Sequence, residues 1–471
     1  MDDIKNWINH HQDELTAISD KIWSRAELGL VERKSAGLQA EYLRTHGFQI
    51  QMGVGGMDTA FVAEWSSAAK PVIAFLGEYD ALPGVSNKPV PVKEPVKEGA
   101  SGHGCGHNLL GVASMGAAIA LKELACAQGI QGTVRYYGCP AEESSFGKTW
   151  MVRDGLFDDV DIALTWHPGS VNRTSNSTSL ADLVYKFDFY GKTAHAAGDP
   201  WNGRSALDGV ELMHAGIERM REHMRPENRV HYVITHGGGA PNVVPEYAQT
   251  FFDIRAGNLD ELEKMYSWVH DIGQGAAMMT QTKFVPRFLG AAANVIPNRV
   301  ITRVFHQVMT ELGAPEWTDE EMEFASKMQD ELGPDALQNT LARLGDEVSL
   351  LGQTKICDVV FPEEESIAQG KGSTDVGDVS WVVPTGQFNT ACYVLGAPGH
   401  SWAVTSCCGM SIGHKGMIFA AKILGIAGAR FMTEKGLRDD ARAEWEKRLN
   451  SKTYKTPVPP EIKKPPLPFG E

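Results

Sequence analysis

No Cys-x-x-Cys pair occurs anywhere in the chain, and the seven cysteines, at 105, 126, 139, 357, 392, 407 and 408, are odd in number and irregularly spaced. That argues against a structural zinc site, which wants closely paired thiolates or imidazoles, and fits reduced thiols better than a disulfide framework. The sequons at Asn172 and Asn176 then read as chance matches. Positive charge is also short: 44 Lys and Arg stand against 59 Asp and Glu, a net charge of −15. A surface with that bias repels nucleic acid and anionic membranes, so small molecules are the expected partners. The amino terminus has no basic segment leading into an apolar one, and no apolar run reads as long enough to span a bilayer. The expectation is a cytoplasmic protein with no membrane and no nucleic-acid partner.

Hydrophobic residues make up 42% and charged residues 22%, ordinary globular usage, over 471 residues. That length exceeds what one core usually organises, so two domains, or one carrying a large insertion, are expected. The first fifty residues read as two helices, the second being "SAGLQAEYLRTHGF" with its closing glycine. Strands "TAFVAEW", "PVIAFLGEY", "GTVRYYGC" and "DIALTWH" follow, alternating with helices near 108–127 and 148–155, which predicts an α/β layer architecture. From about residue 183 a strand-helix-strand-strand-helix-strand series runs from "LVYKFDFYGK" to "KFVPRFL", a split βαβ module that interrupts the α/β texture. Helices at 297–312 and 318–344, the strand "FNTACYVLG" and a helix at 411–434 resume it. The domain expectation is 1–182 with 297–450, an inserted 183–296, and a Pro-rich extended or disordered tail at 451–471.

Metal-capable side chains recur where predicted strands end, the place at which α/β folds collect function. "GHGCGHNLLG" supplies Cys105 and His107, "CPAEES" supplies Glu142 and Glu143, "LTWHPG" supplies His167 and "GAPGHSW" supplies His400. Singly, each has a plain reading: a surface histidine, a solvated loop, a small buried thiol. Together at one sheet edge, a thiolate, imidazoles and carboxylates scattered over about 300 residues describe a catalytic metal site with open positions. Adjacent glutamates make sense if one binds metal and the other moves protons between water and a leaving amine. A Cys105 nucleophile beside His103 or His107 is the competing reading; it leaves the Glu pair unused.

The series "GEYDALPG", "GHGCGHN", "CPAEES", "LTWHPG", "GKTAHAA", "GGGAPNVVPEYAQTFFDIR", "GSTDVGDVSW" and "PGHSW" resembles, in order, the dinuclear metallo-amidohydrolases that include glutamate carboxypeptidases, aminoacylases and auxin-conjugate amidohydrolases. Within that family "GHGCGHNLLG" and "HKGM" are most similar to the aminobenzoyl-glutamate hydrolase B-type branch. The resemblance implies a mixed-sheet, zinc-peptidase-like catalytic domain with an inserted α+β, ferredoxin-like lid and dimerisation domain. It implies two divalent ions, manganese or zinc, on Cys105, His107, Glu143, His167 and His400, with Cys105 as the bridge. Glu142 becomes general base and acid, Asp80 the carboxylate that orients a ligand histidine, and His195 a donor to the oxyanion that can reach a neighbouring subunit's site. Asn242 and Arg255 match substrate-contacting polar residues; a surface or interface ion pair is the other reading of Arg255. Two departures stand out: Glu78 occupies a position where peptidase relatives carry a metal-binding histidine, and Asn108 one where auxin-conjugate hydrolases carry Asp. His414 is a second choice to His400. The implied reaction is hydrolysis of an N-acyl amino acid or dipeptide, aminobenzoyl-glutamate foremost, by a homodimer or with a homologous partner subunit. A partner subunit without turnover is the rival; all five ligands and the Glu pair argue against it.

Overall fold

The computed structural model describes residues 2–467, so the last four residues of the expected tail lie outside the described residues. Its central sheet has eight strands and is mixed. Val72–Glu78, buried at every residue, runs parallel to Thr133–Cys139 on one side and to Ile162–Leu164 on the other. Thr385–Ala391 continues the parallel set and pairs onward with His167–Gly169 and, antiparallel, with Arg173–Ser175. The opposite flank is antiparallel, with Phe61–Ser66 on Thr133–Cys139 and Gln49–Met52 outermost. A strand covered on both faces needs apolar residues at successive positions, which is why "VIAFLGE" shows no polar alternation.

Because successive side chains alternate across a strand, Val72–Glu78 feeds two cores. Ile73 and Phe75 pack with the helices His107–Gln128 and Ser411–Thr433, whereas Val72, Ala74 and Leu76 join Trp150, Met151 and Phe157. Those two helices correct a sequence expectation, since both are long and apolar enough to cross a membrane. Their most apolar windows are 83% and 78% buried inside the protein, so they serve as core helices, apolar all round because they are enclosed all round.

The inserted module is a four-stranded antiparallel sheet in the order Arg229–His236, Tyr247–Ala256, Ala181–Tyr190, Lys283–Ala292. Helices Ala206–Arg221 and Leu259–Thr280 cover the face that presents Phe187, Phe189, Phe252 and Ile254. Each helix starts on a side-chain cap, Ser205 accepting from the Asp208 N–H and Asn258 from the Glu261 N–H. The other face carries Asp182, Asp253 and Arg255. This is the α/β domain with an α+β insertion that the sequence pattern predicts.

Several elements differ from expectation. The first fifty residues hold three helices, Asp2–His10, Gln12–Arg25 and Arg33–Thr45. The helix predicted over 318–344 is two, Asp319–Leu332 and Pro334–Leu344, because Gly333 turns the chain at φ +79° and Pro334 restarts it. "DIALTWH" splits into two strands, with His167 opening the second. Up to residue 467, the Pro-rich tail is extended as expected but seated. Tyr454 donates its hydroxyl to Asp378 Oδ1 (2.6 Å), Lys452 pairs with Asp260 (2.6 Å), Val458 is buried, and Arg153 donates to the Ile462 carbonyl (3.1 Å). The tail thereby ties Leu259–Thr280 of the insertion to Gly147–Arg153 and Val376–Val382 beneath the main sheet.

Asp378 is enclosed and takes its other donors from Thr149 and the Ala293 N–H, so removing the Tyr454 hydroxyl leaves Oδ1 short of a partner. Tyr454→Phe is expected to lower unfolding stability by about 1–3 kcal/mol, read from urea denaturation; an unchanged midpoint would show that the tail rests on the fold without holding it.

Candidate metal centre

Four parallel strands deliver their carboxyl ends to one edge of the sheet. Glu78 and Asp80 stand at the end of Val72–Glu78, Glu142 and Glu143 after Thr133–Cys139, His167 after Ile162–Leu164, and His400 beyond Thr385–Ala391. Cys105 arrives from the long connection that precedes helix His107–Gln128, and His107 opens that helix. The turn between them depends on Gly106, which sits at φ +79° and where a Cβ would lie 3.0 Å from Cys408 Sγ and from Pro168. A side chain there is strained by the conformation and tightly crowded by its neighbours.

Three sets of ligand-capable atoms lie within 4.8 Å of one another: Cys105, His107 and His167; Cys105, Glu143 and His400; Glu78, His107 and Glu142. Cys105 is common to the first two, and its Sγ is 3.3 Å from His167 Nε2. His107 is fully buried; its Nδ1 lies 2.8 Å from Asp80 Oδ1, which fixes the ring and turns Nε2 inward. That Nε2, Glu143 Oε1 and Glu78 Oε2 are all buried without a hydrogen-bond partner, although His107 Nε2 is 3.1 Å from Glu78 Oε2 and 4.0 Å from Glu143 Oε1, and His400 Nε2 is 3.4 Å from Glu143 Oε1. Orphaned buried polar atoms are costly. Tetrahedral ligand atoms about 2.0–2.3 Å from a shared cation stand roughly 3.3–3.8 Å apart; Cys105–His167 at 3.3 Å and His400–Glu143 at 3.4 Å fall in that range, with His107–Glu78 at 3.1 Å and His107–Glu143 at 4.0 Å on either side of it. The donor set therefore fits divalent metal.

Burial pushes His167 down to about 4, so its imidazole is neutral and free to ligate. Burial, then the charges of Glu78 and Glu143, push Glu142 well above the usual carboxylate range, which is the condition of a group that must hold a proton. Burial and then Glu143 raise the Cys105 thiol strongly, against a nucleophilic thiolate in the absence of metal.

The cluster collects Cys105, His107, Glu142, Glu143, His167 and His400, with Asp80 behind His107. His103 turns away: its Nε2 lies 3.2 Å from the Ile22 carbonyl, and burial lowers it to about 3. His414 is 2.8 Å from Asp20 and is not among the clustered groups. Asn108 bonds Ser19 and the Cys408 carbonyl within the core. His195 and Asn242 lie exposed on adjoining loops of the insertion, with His195 Nδ1 accepting from the Ala197 and Gly198 N–H groups. Among the described residues, no hydrogen bond or ion pair links either of them to the cluster. Arg255 is forked onto Asp253 (2.9 Å) and lies 3.2 Å from Asp182, in a cleft that Glu143 also lines. Sequence reasoning missed Lys148, which is fully buried with its Nζ 2.5 Å from both Glu78 and Asp375. "GKTWM" carries no signal for it beyond a lysine inside an apolar run.

The sequence profile of Peptidase family M20/M25/M40 matches residues 74–423. The chain belongs to this family. One of the subunits of p-aminobenzoyl-glutamate hydrolase in Escherichia coli (strain K12) is 39% identical over 98% of each chain, and the Xaa-Arg dipeptidase of Mus musculus is 28% identical over 94% of this chain and 91% of its own. Among solved structures, the aminobenzoyl-glutamate utilization protein of Klebsiella pneumoniae matches with a TM-score of 0.59 at 17% identity, covering 92% of this chain and 99% of that one. A dinuclear metal-binding M20 peptidase of Bacillus subtilis matches with a TM-score of 0.55 at 15% identity, covering 90% and 99%. As an M20 protein the chain is a metallo-amidohydrolase, and the fold of these neighbours is the one described above.

The Lys148 ammonium is shared between two buried carboxylates. Lys148→Met, which keeps the side-chain volume and deletes the charge, is expected to cost about 3–5 kcal/mol in urea denaturation. A loss below about 1 kcal/mol would show that Glu78 and Asp375 do not depend on it.

Proposed function

We propose that this M20 protein hydrolyses the amide bond between an acyl group and an amino acid bearing a free carboxylate, with p-aminobenzoyl-glutamate the first substrate to try and other N-acyl amino acids or dipeptides next. The observation that carries the reading is the pair of donor sets joined by Cys105, with Glu142 beside them. Cys105, His107, Glu143, His167 and His400 would hold two divalent ions, manganese or zinc, thiolate favouring zinc and the harder donors suiting either. When bound, the ions supply Lewis acidity toward water and the amide carbonyl.

The chain's own groups divide the remaining work. Glu142 as carboxylate would take the proton from the attacking water, and its buried surroundings, which favour the protonated form, would then hold that proton until it passes to the leaving amine. Asp80 keeps His107 in one orientation. His195 and Asn242, exposed on the insertion, meet substrate when that module closes or when a second copy presents it, and a donor that engages the developing oxyanion acts on turnover more than on binding. Arg255 is already held by two carboxylates, so its contact with a substrate carboxylate would have to be shared. The 39% relative and a further relative at 24% identity are named as two different subunits of p-aminobenzoyl-glutamate hydrolase in the same organism, which supports assembly with a homologous partner or a second copy.

Metal content and hydrolysis of a panel, p-aminobenzoyl-glutamate, acetylated amino acids and Xaa-Arg dipeptides, should be measured before and after chelation and again after manganese or zinc is restored. About two metals per chain with activity that returns on add-back is expected; metal-free protein that stays active would overturn the reading. Glu142→Gln should keep its metal and lose turnover by a factor on the order of 100 or more, measured by steady-state kinetics beside elemental analysis. Alkylation of Cys105 should be slow in metal-loaded protein and faster after chelation, followed by mass spectrometry.

A further inference from the structure

The turn that carries the Glu pair is backed by a segment far away in sequence. Residues 140–146 leave the sheet through two non-glycine positions with left-handed backbone, Ala141 at φ +57° and Phe146 at φ +55°. Such conformations cost free energy and persist where surrounding contacts over-determine them. The Ala141 carbonyl is closed within the turn, accepting from the Ser145 N–H (3.0 Å) and the Phe146 N–H (2.8 Å). The Ala141 N–H points the other way, and its partner is Glu32 Oε1 at 2.8 Å.

Glu32 is fully buried, in the connection that leads into helix Arg33–Thr45. Its second oxygen accepts from the Thr59 hydroxyl at 2.9 Å, and the Thr59 carbonyl in turn accepts from Tyr79 at 2.6 Å. The same connection touches the turn at a second point, because a Cβ on Gly29 would overlap Ser144 Oγ and stand 3.0 Å from the Ala141 Cβ. Two residues further on, the Glu143 N–H donates to Asp80 Oδ2 at 3.0 Å. The Glu pair is thus held through its backbone at both shoulders, by Asp80 from the sheet and by Glu32 from the amino-terminal helices.

We infer that Glu32 is a positioning residue for the candidate centre: by accepting the Ala141 N–H it fixes the strained turn that sets Glu143 among the metal donors and Glu142 beside them. This rests on the metal reading proposed above. The requirement is for an acceptor at that reach. Burial, and then the nearness of Asp80, raise Glu32 to about 8, so glutamine is a close mimic of it at neutral pH.

The test is titration of chelated, full-length protein with Mn2+ alone and with Zn2+ alone by calorimetry, for wild type, Glu32→Gln, Glu32→Ala and Glu32→Asp, with kcat, KM and thermal midpoint measured on each. Groups that orient ligands typically change affinity 10–100-fold when removed. Glu32→Ala is expected to weaken metal binding by about that factor and to lower kcat more than it raises KM, whereas Glu32→Gln stays within about threefold of wild type. Glu32→Asp, which retracts the carboxylate by one methylene while keeping the charge, should fall with the alanine variant, and it decides the question if Glu32→Ala does not fold. A role in folding alone would shift the thermal midpoint of the metal-free protein and leave affinity and kcat unchanged. Wild-type affinity in the alanine or aspartate variant overturns the inference, as does a glutamine variant as damaged as alanine. Wild-type protein that binds neither ion overturns the metal reading together with it.

Discussion

Carboxylates taken out of water must be paired, protonated or bound to a cation, and this protein gathers Glu32, Glu78, Asp80, Glu142, Glu143 and Asp375 around one end of its sheet. Four of the six find protein partners. Glu78 and Asp375 share Lys148, Asp80 takes His107 and the Glu143 N–H, and Glu32 takes Thr59 and the Ala141 N–H. The oxygens that remain orphaned, on Glu78 and Glu143, face the same small space as His107 Nε2. Within this group of six, the orphaned oxygens are left where a divalent ion would serve.

That constraint links the two cores. Lys148 lies on Gly147–Arg153, whose Trp150 and Met151 pack on the underside of the main sheet, and Asp375 stands just before Val376–Val382. The helix Val376–Val382 includes Asp378, which anchors the carboxyl-terminal strap through Tyr454. A single underside core runs from Val72 and Leu76 through Trp150 to Phe187 and Phe252 of the insertion. The charge network therefore rests on an apolar core shared by the main sheet and the insertion.

The legible part of the site is the part the parallel sheet dictates. Strand ends in an α/β fold are where chemistry collects, so residues following "VIAFLGE", "GTVRYYGC", "DIAL" and "FNTA" can be placed at one edge from the sequence alone. Cys105 and His107 are legible with them, but the divergence of His103 is not, because it depends on a carbonyl of Ile22 far away in the chain. Lys148 and Glu32 escape for a related reason: each acts through long-range burial, and neither stands in a spacing that distinguishes it from a solvated charge. The seating of the tail is also outside what composition can report, since Pro-richness says only that the segment cannot build its own ladder; its carbonyls still accept from Arg153. The two long apolar helices are placed by the sequence near 108–127 and 411–434, and what the sequence does not show is their enclosure inside the fold, 83% and 78% of the most apolar windows being buried.

The cluster is unequal in rigidity, which bears on how it works. His107 is fully buried at the start of an enclosed helix and oriented by Asp80, while His400 is 59% exposed and sits at φ +55° on a loop whose N–H donates to the Gly104 carbonyl. A left-handed, solvent-facing histidine costs backbone strain for its placement, and the link to Gly104 ties it to the loop that carries Cys105. The buried side of the proposed centre is fixed by folding, and the open side is the one through which substrate and water must pass. On the proposed reading, His195 and Asn242, exposed on the insertion, would act from that open side. Closure of that module, on the same reading, would complete the site and leave the carboxylate network beneath it in place.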